Sequence, residues 1–281
     1  MAKLKLLRED FAWTAIKYVF LTALLFIVIF PIFWLIISAF KFERQIVTFP
    51  PTVFGTAYTF ENFVRIFNTI PIANYLINTV IFAVGSTFFA LIFDSMAGYA
   101  FARLHFRGKD VLFIIILLSM MVPFQVIMIP LFLQVHFLGI LNTYPGLIIP
   151  RTTMAFGIFM MRSYFSQLPK DLEEAARIDG LSEFGIYFRV MLPLVKPGIM
   201  TLGIFYLMTH WNDLLYPMMM TSSPRMRTLA AGLAMFVGER ATLFFGAQLA
   251  GAVISIIPLL ILYVFFQKYF VASVASSGLK D

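Results

Sequence analysis

The sequence predicts an all-α integral membrane protein with six transmembrane helices and both termini in the cytoplasm. Hydrophobic residues make up 61% of the chain and charged residues only 12%, which excludes an ordinary soluble domain. The apolar residues form long runs, and about 20 consecutive apolar residues are enough to span a bilayer as a helix. Lys and Arg concentrate in the segments between alternate runs, as expected for the cytoplasmic side of a membrane protein.

The first two spans are predicted at about residues 18–40 and 74–102. No charged residue lies between Lys17 and Lys41, and Pro31 can kink this first helix without breaking the span. The polar segment between the two spans is predicted to be an external loop.

The third and fourth spans are predicted at about residues 110–133 and 144–165. A short basic turn precedes the third span, and Pro123 and Pro130 are expected to kink it. The fourth segment contains Arg151 and two prolines, so hydropathy alone does not require a span there. A span is nevertheless required there. The charged loop that follows must lie on the same side of the membrane as the basic turn, so the chain has to cross the membrane an even number of times between them.

The fifth and sixth spans are predicted at about residues 197–219 and 249–270. An outer loop with a short helix near residues 229–236 is expected between them. The charged loop 166–192 connects the fourth span to the fifth and is predicted to be cytoplasmic. We therefore expect residues 1–281 to form a single transmembrane domain.

The composition offers no support for catalysis by this chain. It has no cysteine, which excludes disulfides and thiol chemistry, and its three histidines are too scattered to suggest a metal site. No phosphate-binding loop is present, since Gly108-Lys109 is followed by Asp110 and lacks the preceding glycine. The net charge of +7 is explained by cytoplasmic loops, so nucleic-acid binding is not expected.

The loop 166–192 contains a short helix with its own start and stop signals. Acidic residues crowd its first turn, where the helix dipole favours negative charge, and Arg177 lies near its end. Gly180 can adopt the left-handed conformation that ends a helix. Helical spacing places one set of residues on a common face, namely Leu172, Ala175, Ala176 and Asp179.

These residues resemble the cytoplasmic motif of permease subunits of bacterial ATP-binding-cassette importers. The motif is Glu174-Ala175-Ala176, then Gly180, then Leu192-Pro193, with Val190 where the family has Ile. Further segments resemble the carbohydrate importers, and specifically the second permease of the maltose and oligosaccharide type. These segments are 94–103, 138–143, 211–213 with Pro217, and 267–271.

The resemblance implies that the helix at 170–180 is a coupling helix, which seats in a cleft of an ATPase subunit. Glu174 is then expected to make a polar contact with the ATPase, Ala175 and Ala176 to form the contact floor, and Gly180 to turn the chain beside the partner. Arg177 and Asp179 complete the set of residues expected to take part in ATPase coupling.

The resemblance also implies the partners and the location of the chain. A second homologous permease subunit, two ATPase subunits that bind ATP and Mg, an extracytoplasmic sugar-binding protein and membrane lipid are expected. No cofactor is expected in this chain, and no enzymatic activity. The location implied is the bacterial cytoplasmic (inner) membrane. By position alone, the outer loop around 238–242 resembles the loop that reaches into the binding protein.

Polar residues within the spans are candidates for the translocation path. Asp94 and Arg151 lie roughly 13 to 16 Å from the cytoplasmic ends of their helices at 1.5 Å per residue, near the middle of the bilayer. They are expected either to pair with each other or to line an aqueous path, and Asp94 is equally compatible with a buried structural contact. Asn212 and Asp213 lie near the outer boundary, where Asp213 fits an interface anchor or a gate.

Two other functions remain open at the level of sequence. Arg151 would suit an anionic solute, so an importer permease for glycerol phosphate or another small polar solute is one alternative. A secondary transporter driven by protons or sodium is the other, with Asp94 as the coupling carboxylate. It predicts transport without ATP and no role for Glu174.

Overall fold

The computed structural model describes the backbone of residues 2–240 and 244–278, and the side chains of residues 13–238, 244–265 and 267. Over these residues the chain is 78% helical with no strand, which confirms the all-α prediction. The predicted binding-protein loop around 238–242 lies largely outside the described residues. The helices are α1 (Ala2–Ala39), α2 (Glu43–Ile46), α3 (Glu61–Thr69), α4 (Ile72–Arg103), α5 (Lys109–Ser119), α6 (Phe124–Phe137), α7 (Tyr144–Ile148), α8 (Ala155–Ser166), α9 (Asp171–Ile178), α10 (Glu183–Ile186), α11 (Leu192–Leu194), α12 (Lys196–Trp211), α13 (Leu215–Met220), α14 (Leu229–Arg240) and α15 (Phe245–Gly278).

Three helices in the described part of the chain are long and apolar enough to cross a membrane. They are Trp13–Ala39 within α1, Ile72–Arg103, and Phe245–Phe265 within α15. They agree with the predicted first, second and sixth spans, whose ends differ by a few residues.

Two further spans are possible if each of two bent helix pairs is counted as one. Helices α5 and α6 meet at an angle of 102°, and the segment Glu183–Leu194 meets α12 at 80°. The third span was predicted as one kinked helix, but it is broken at 120–123, where Pro123 has no N–H to continue the helix. Helix α6 then runs on into the predicted outer loop, as far as Phe137.

The predicted fourth and fifth spans are also interrupted. The fourth consists of α7, a 3₁₀ turn at Ile149–Arg151 and α8, with a non-helical break at 152–154. The fifth ends as α12 at Trp211 and resumes as α13 at Leu215. The number of six spans therefore stays a prediction, because no single continuous helix covers the fourth.

The contacts of the chain divide it into two compact units, 1–70 with 236–256, and 71–235 with 257–281. In the first unit, Asn62 of α3 donates to the carbonyl oxygens of Ala39 and Lys41 at 2.9 and 2.7 Å and holds the end of α1. Most apolar side chains of α1 from Trp13 to Phe30 are exposed, as expected for a surface that faces lipid or another membrane chain.

The second unit is built on α4, which packs along α8 and α12. A Cβ atom at Gly98 of α4 would lie only 2.6 Å from the Cβ of Met161 on α8, so the two helices pack with their backbones close together. Tyr206 of α12 is fully buried in the same core. Of the candidate functional residues, Asp94 lies on α4 and is buried in this three-helix core.

Candidate functional site

The cytoplasmic candidate is the eight-residue helix α9, from Asp171 to Ile178. Its first turn contains Asp171, Glu173 and Glu174, in agreement with the sequence-based prediction. Gly180, just beyond its end, has φ +82°, which confirms the predicted left-handed turn. No atom lies within 4 Å of the position that a Cβ at Gly180 would take, so the glycine is required by the backbone angle and not by crowding.

The residues of α9 that are exposed and those that are buried differ from the sequence-based prediction. Glu174, Ala175 and Ile178 are exposed, whereas Glu173 and Ala176 are buried at 4% and 5% exposure. Ala176 belongs to the hydrophobic core of its own subunit, so the prediction that it forms part of a contact floor for the ATPase is wrong in this structure. The prediction failed because helical spacing identifies the residues that share a face of the helix but does not say whether that face is exposed or buried.

The remaining polar residues of the predicted coupling set lie on the exposed side. Asp179 and Gly180 are exposed, and Arg177 has 45% of its side chain exposed. The outward surface of α9 therefore combines carboxylates with the apolar side chains of Leu172 and Ile178, exposed at 39% and 86%. An exposed short helix that mixes charge with large apolar side chains is suited to bind a protein partner.

A buried charged contact, absent from the sequence-based prediction, holds the inner face of α9. Arg103 at the end of α4 and Glu173 form an ion pair with Nε and Oε1 3.0 Å apart, and both side chains are almost completely buried. Arg103 also donates to the backbone carbonyl of Leu168. Burial raises the pKa of the Glu173 carboxyl, and the nearby Arg103 guanidinium opposes that shift.

A second, exposed ion pair lies at the other end of α9. Arg177 contacts Glu183 at 2.9 Å, and the Tyr99 hydroxyl donates to Glu183 at 3.2 Å. A polar cavity of about 200 Å³ lies between the end of α4 and the start of α9. It is lined by Ala102, Arg103, His105, Lys170, Glu173, Glu174 and Arg177.

The buried Asp94 of α4 is fully engaged by neighbouring donors. Its carboxylate accepts from the Thr153 hydroxyl at 2.6 Å, from the Met154 backbone N–H at 3.1 and 3.2 Å, and from the Tyr206 hydroxyl. Two of these donors lie in the break just before α8, so Asp94 satisfies backbone and side-chain groups that the break would otherwise leave unpaired. A Cβ at Gly157 would lie 2.5 Å from Asp94 Oδ2, which explains glycine there.

Arg151 forms an ion pair with Asp213, and the side chains are exposed by only 16% and 12%. Its guanidinium carbon lies 4.4 Å from the centroid of the Phe124 ring and 4.6 Å from that of the Tyr216 ring, and these two rings meet edge to face with centroids 6.1 Å apart. The hypothesis that Asp94 pairs with Arg151 is wrong in this structure, because each has other partners. Asn212 is exposed and donates to the Met208 carbonyl at 2.9 Å.

Arg151 therefore connects three of the interruptions in the second unit. Phe124 follows the break between α5 and α6, Arg151 precedes the break before α8, and Asp213 lies in the break after α12. Sequence reasoning missed Phe124, Tyr216 and Tyr206, since an aromatic side chain carries no signal of its partner among 34 Phe and 11 Tyr.

No metal site is apparent within residues that the structure describes, where no three His, Cys, Asp or Glu side chains lie together. The site is thus made of one exposed helix and of buried ion pairs and hydrogen bonds that connect helices.

Comparison with known proteins identifies the family. Residues 94–276 match the model of the binding-protein-dependent transport system inner membrane component. An arabinooligosaccharides transport system permease protein of Halalkalibacterium halodurans is 35% identical over 258 residues, 91% of this chain and 92% of the relative. A trehalose/maltose transport system permease protein of Thermococcus litoralis is 33% identical over 258 residues, 90% of this chain and 92% of the relative.

A solved structure supports the same family assignment. In the crystal structure of a bacterial ABC transporter involved in the import of the acidic polysaccharide alginate, one chain matches with a TM-score of 0.81 and 26% identity, over 94% of this chain and 98% of that one. The protein is accordingly a multi-pass protein of the inner membrane. The chain belongs to the family of inner membrane components of binding-protein-dependent transport systems.

Proposed function

We propose that this chain is the transmembrane permease subunit of an ATP-driven importer, which translocates a sugar delivered by an extracytoplasmic binding protein. The observation that carries the proposal is the exposed helix α9, which ends at the left-handed Gly180 and is held at its inner face by the end of α4. The sugar importers among the relatives support an oligosaccharide or a related sugar as the solute.

The proposed assembly contains a second homologous permease, two ATPase subunits and the sugar-binding protein. ATP and Mg are bound by the ATPase subunits, since the sequence of this chain contains no phosphate-binding loop. Six spans with both termini in the cytoplasm place α9 on the cytoplasmic side, which is the side where Lys and Arg are enriched. The exposed apolar side chains of α1 are then covered by lipid or by the sibling permease.

The proposed mechanism is alternating access driven through α9. Closure of the ATPase subunits displaces α9 through contacts with Glu174, Ala175, Arg177 and Asp179. Helices α4, α8 and α12 follow, because Gly98 allows close backbone packing of α4 on α8, and Asp94 of α4 accepts hydrogen bonds from Tyr206 of α12 and from the segment that leads into α8. The two permeases then exchange between inward-facing and outward-facing states, with a path near Asp94, Arg151, Asn212 and Asp213.

The structure gives other roles to the two residues that suggested the alternative functions, a permease for an anionic solute and an ion-coupled transporter. Arg151 suggested an anionic solute, but its guanidinium is paired with Asp213 and contacts the rings of Phe124 and Tyr216. An ion-coupled transporter was favoured by Asp94, but its carboxylate accepts hydrogen bonds from three groups and serves the break before α8.

Transport in proteoliposomes tests the proposal. The chain is reconstituted with its sibling permease and ATPase subunits, ATP is enclosed, and the binding protein is added outside with radiolabelled arabinotriose, maltotriose or glycerol 3-phosphate. We expect uptake of at least one oligosaccharide that stops when ATP is replaced by a non-hydrolysable analogue. Uptake of glycerol 3-phosphate alone would support that alternative, and uptake by this chain alone under a proton or sodium gradient would overturn the proposal.

A further inference from the structure

A buried ion pair between Arg103 and Glu173 attaches α9 to the end of α4. Only 5% and 6% of the two side chains are exposed, so solvent screens the pair very little. Arg103 also donates to the Leu168 carbonyl, in the segment that leads into α9. One guanidinium at the end of a spanning helix thus contacts both the approach to α9 and its first turn.

Helix α9 has few other means of keeping its position. An isolated helix of eight residues is unstable in water and depends on tertiary contacts. Ala176 is its one fully buried apolar side chain, and an alanine buries little area. The second ion pair, Arg177 with Glu183, is nearly half exposed on both sides, and exposed pairs contribute little.

We propose that Arg103 and Glu173 form a clamp that positions α9 on the end of α4, so that a displacement of α9 by the ATPase moves the spanning helix with it. Arg103 and Glu173 are positioning residues in this proposal, whereas the exposed Glu174 faces the partner. The inference rests on the proposed function where it concerns the coupling of ATP hydrolysis to transport. The position of α9, however, can be measured without any transported solute.

Loss of either partner has a larger effect than loss of an exposed ion pair. After Glu173→Gln the Arg103 guanidinium would be buried without its counterion, and after Arg103→Gln the Glu173 carboxylate would keep only the more distant Arg177, 3.9 Å away. The first turn of α9 is then expected to leave the end of α4 so that the charge reaches water. Since α9 remains joined to the spans on both sides, the ATPase can still displace it, but the displacement no longer moves α4 to the same extent.

Spin-label distances in the reconstituted complex test the position of α9. The sequence has no cysteine, so Phe93→Cys on the exposed side of α4 and Asp171→Cys at the start of α9 can be labelled without removing others. Residue 93 lies ten residues before Arg103, roughly 15 Å along the helix, which gives a suitable separation. We expect a narrow distance distribution in the otherwise unchanged complex, and a broad one after Glu173→Gln or Arg103→Gln.

Coupling is measured on the same variants without labels, as oligosaccharide taken up per ATP hydrolysed. We expect a decrease of about tenfold or more after Glu173→Gln or Arg103→Gln, in keeping with loss of a buried pair. Glu183→Gln is the matched control, because it breaks the exposed pair beside the same helix and should leave both readouts near wild type. The exchanged pair, Arg103→Glu with Glu173→Arg, should recover part of the coupling and narrow the distribution again.

Each outcome decides the proposal. Narrow distributions and unchanged coupling in both single variants would overturn it, and so would an equal defect in Glu183→Gln. If the single variants do not assemble, the exchanged pair decides, because an assembled complex with a broad distribution contradicts a clamp. Failure of the unchanged complex to take up any oligosaccharide would count against the proposed function alone, since the distance measurement would still test the clamp.

Discussion

Replacement of Gly180 tests the coupling role of α9 through the backbone alone. Gly180 has φ +82°, and a Cβ added there would meet no atom within 4 Å. A substitution therefore adds conformational strain without a steric clash. The left-handed conformation costs a residue with a Cβ about 1 to 2 kcal/mol, which corresponds to a factor of about 5 to 30 in the population of the native turn.

We expect Gly180→Val to lower solute uptake per ATP hydrolysed by several-fold, while the amount of assembled complex in the membrane stays near wild type. Gly180→Asn should have a smaller effect, since asparagine tolerates this conformation and Asn142 of the same chain adopts φ 58°. The assay is uptake by proteoliposomes with ATP enclosed, together with phosphate release measured in the same preparation.

Gly108 provides a matched control. It has φ +80° and no atom within 4 Å of its added Cβ, but it lies in the basic turn before α5 and not beside α9. Gly108→Val thus introduces the same backbone strain on what we predict to be the same side of the membrane. Near-wild-type coupling in Gly180→Val, or an equal loss in Gly108→Val, would refute the reasoning.

Three further predictions concern topology, the Arg151 ion pair and pH. A Lys170→Cys variant should be labelled by a membrane-impermeant maleimide from the cytosolic side only, and Arg227→Cys from outside only; labelling of both from one side would contradict six spans. Arg151→Gln or Asp213→Asn alone leaves a largely buried charge without its partner, which should destabilise the subunit by about 3 to 5 kcal/mol and reduce the amount of assembled complex. In a double-mutant cycle, the variant with both substitutions should recover part of that loss. Because burial raises the pKa of Glu173, this carboxyl takes up a proton in the folded protein at a higher pH than in the unfolded chain. By linkage, protonation favours the buried position of this carboxyl over an exposed one, so acidification should keep the distance between residues 93 and 171 narrow in the unchanged complex and should narrow it again in Arg103→Gln; the neighbouring charges are Arg103, Arg177, Glu183 and Lys170. The same acidification should narrow nothing in Glu173→Gln, which has no carboxyl to protonate there, and broadening of the unchanged complex on acidification would contradict this reasoning.

The features that sequence predicted well depend on local signals. The long apolar runs predicted the helices Trp13–Ala39 and Ile72–Arg103 to within a few residues of their observed ends, although the first helix begins well before its predicted start. The start of α9 and the left-handed angle of Gly180 also followed from the residues themselves. In each case the cause lies within one or two helical turns of the residue concerned.

The interruptions of the helices and their ion pairs could not be predicted in the same way. The depth of Arg151 in the membrane follows from a count of residues only if the fourth span is a continuous helix, and the break at 152–154 removes that condition. A carboxylate in the membrane can be recognised as costly, but the choice between Asp94 and Asp213 as the partner of Arg151 depends on packing between distant segments. The same applies to Glu173, whose burial depends on Arg103, seventy positions earlier in the chain.

The arrangement of close packing and interruptions indicates where this subunit bends. Toward its cytoplasmic end, α4 is held to α8 by backbone contact at Gly98 and to α9 by the Arg103–Glu173 pair, so these elements move together. The breaks at 120–123, 152–154 and 212–214 lie beyond this region, and backbone without helical hydrogen bonds bends more easily than a continuous helix. Arg151 and Asp213 connect two of the breaks, with Phe124 following the third. We therefore expect the displacement of α9 to reach the breaks as a rigid rotation of α4 and α8, and the change between inward-facing and outward-facing states to occur around Arg151.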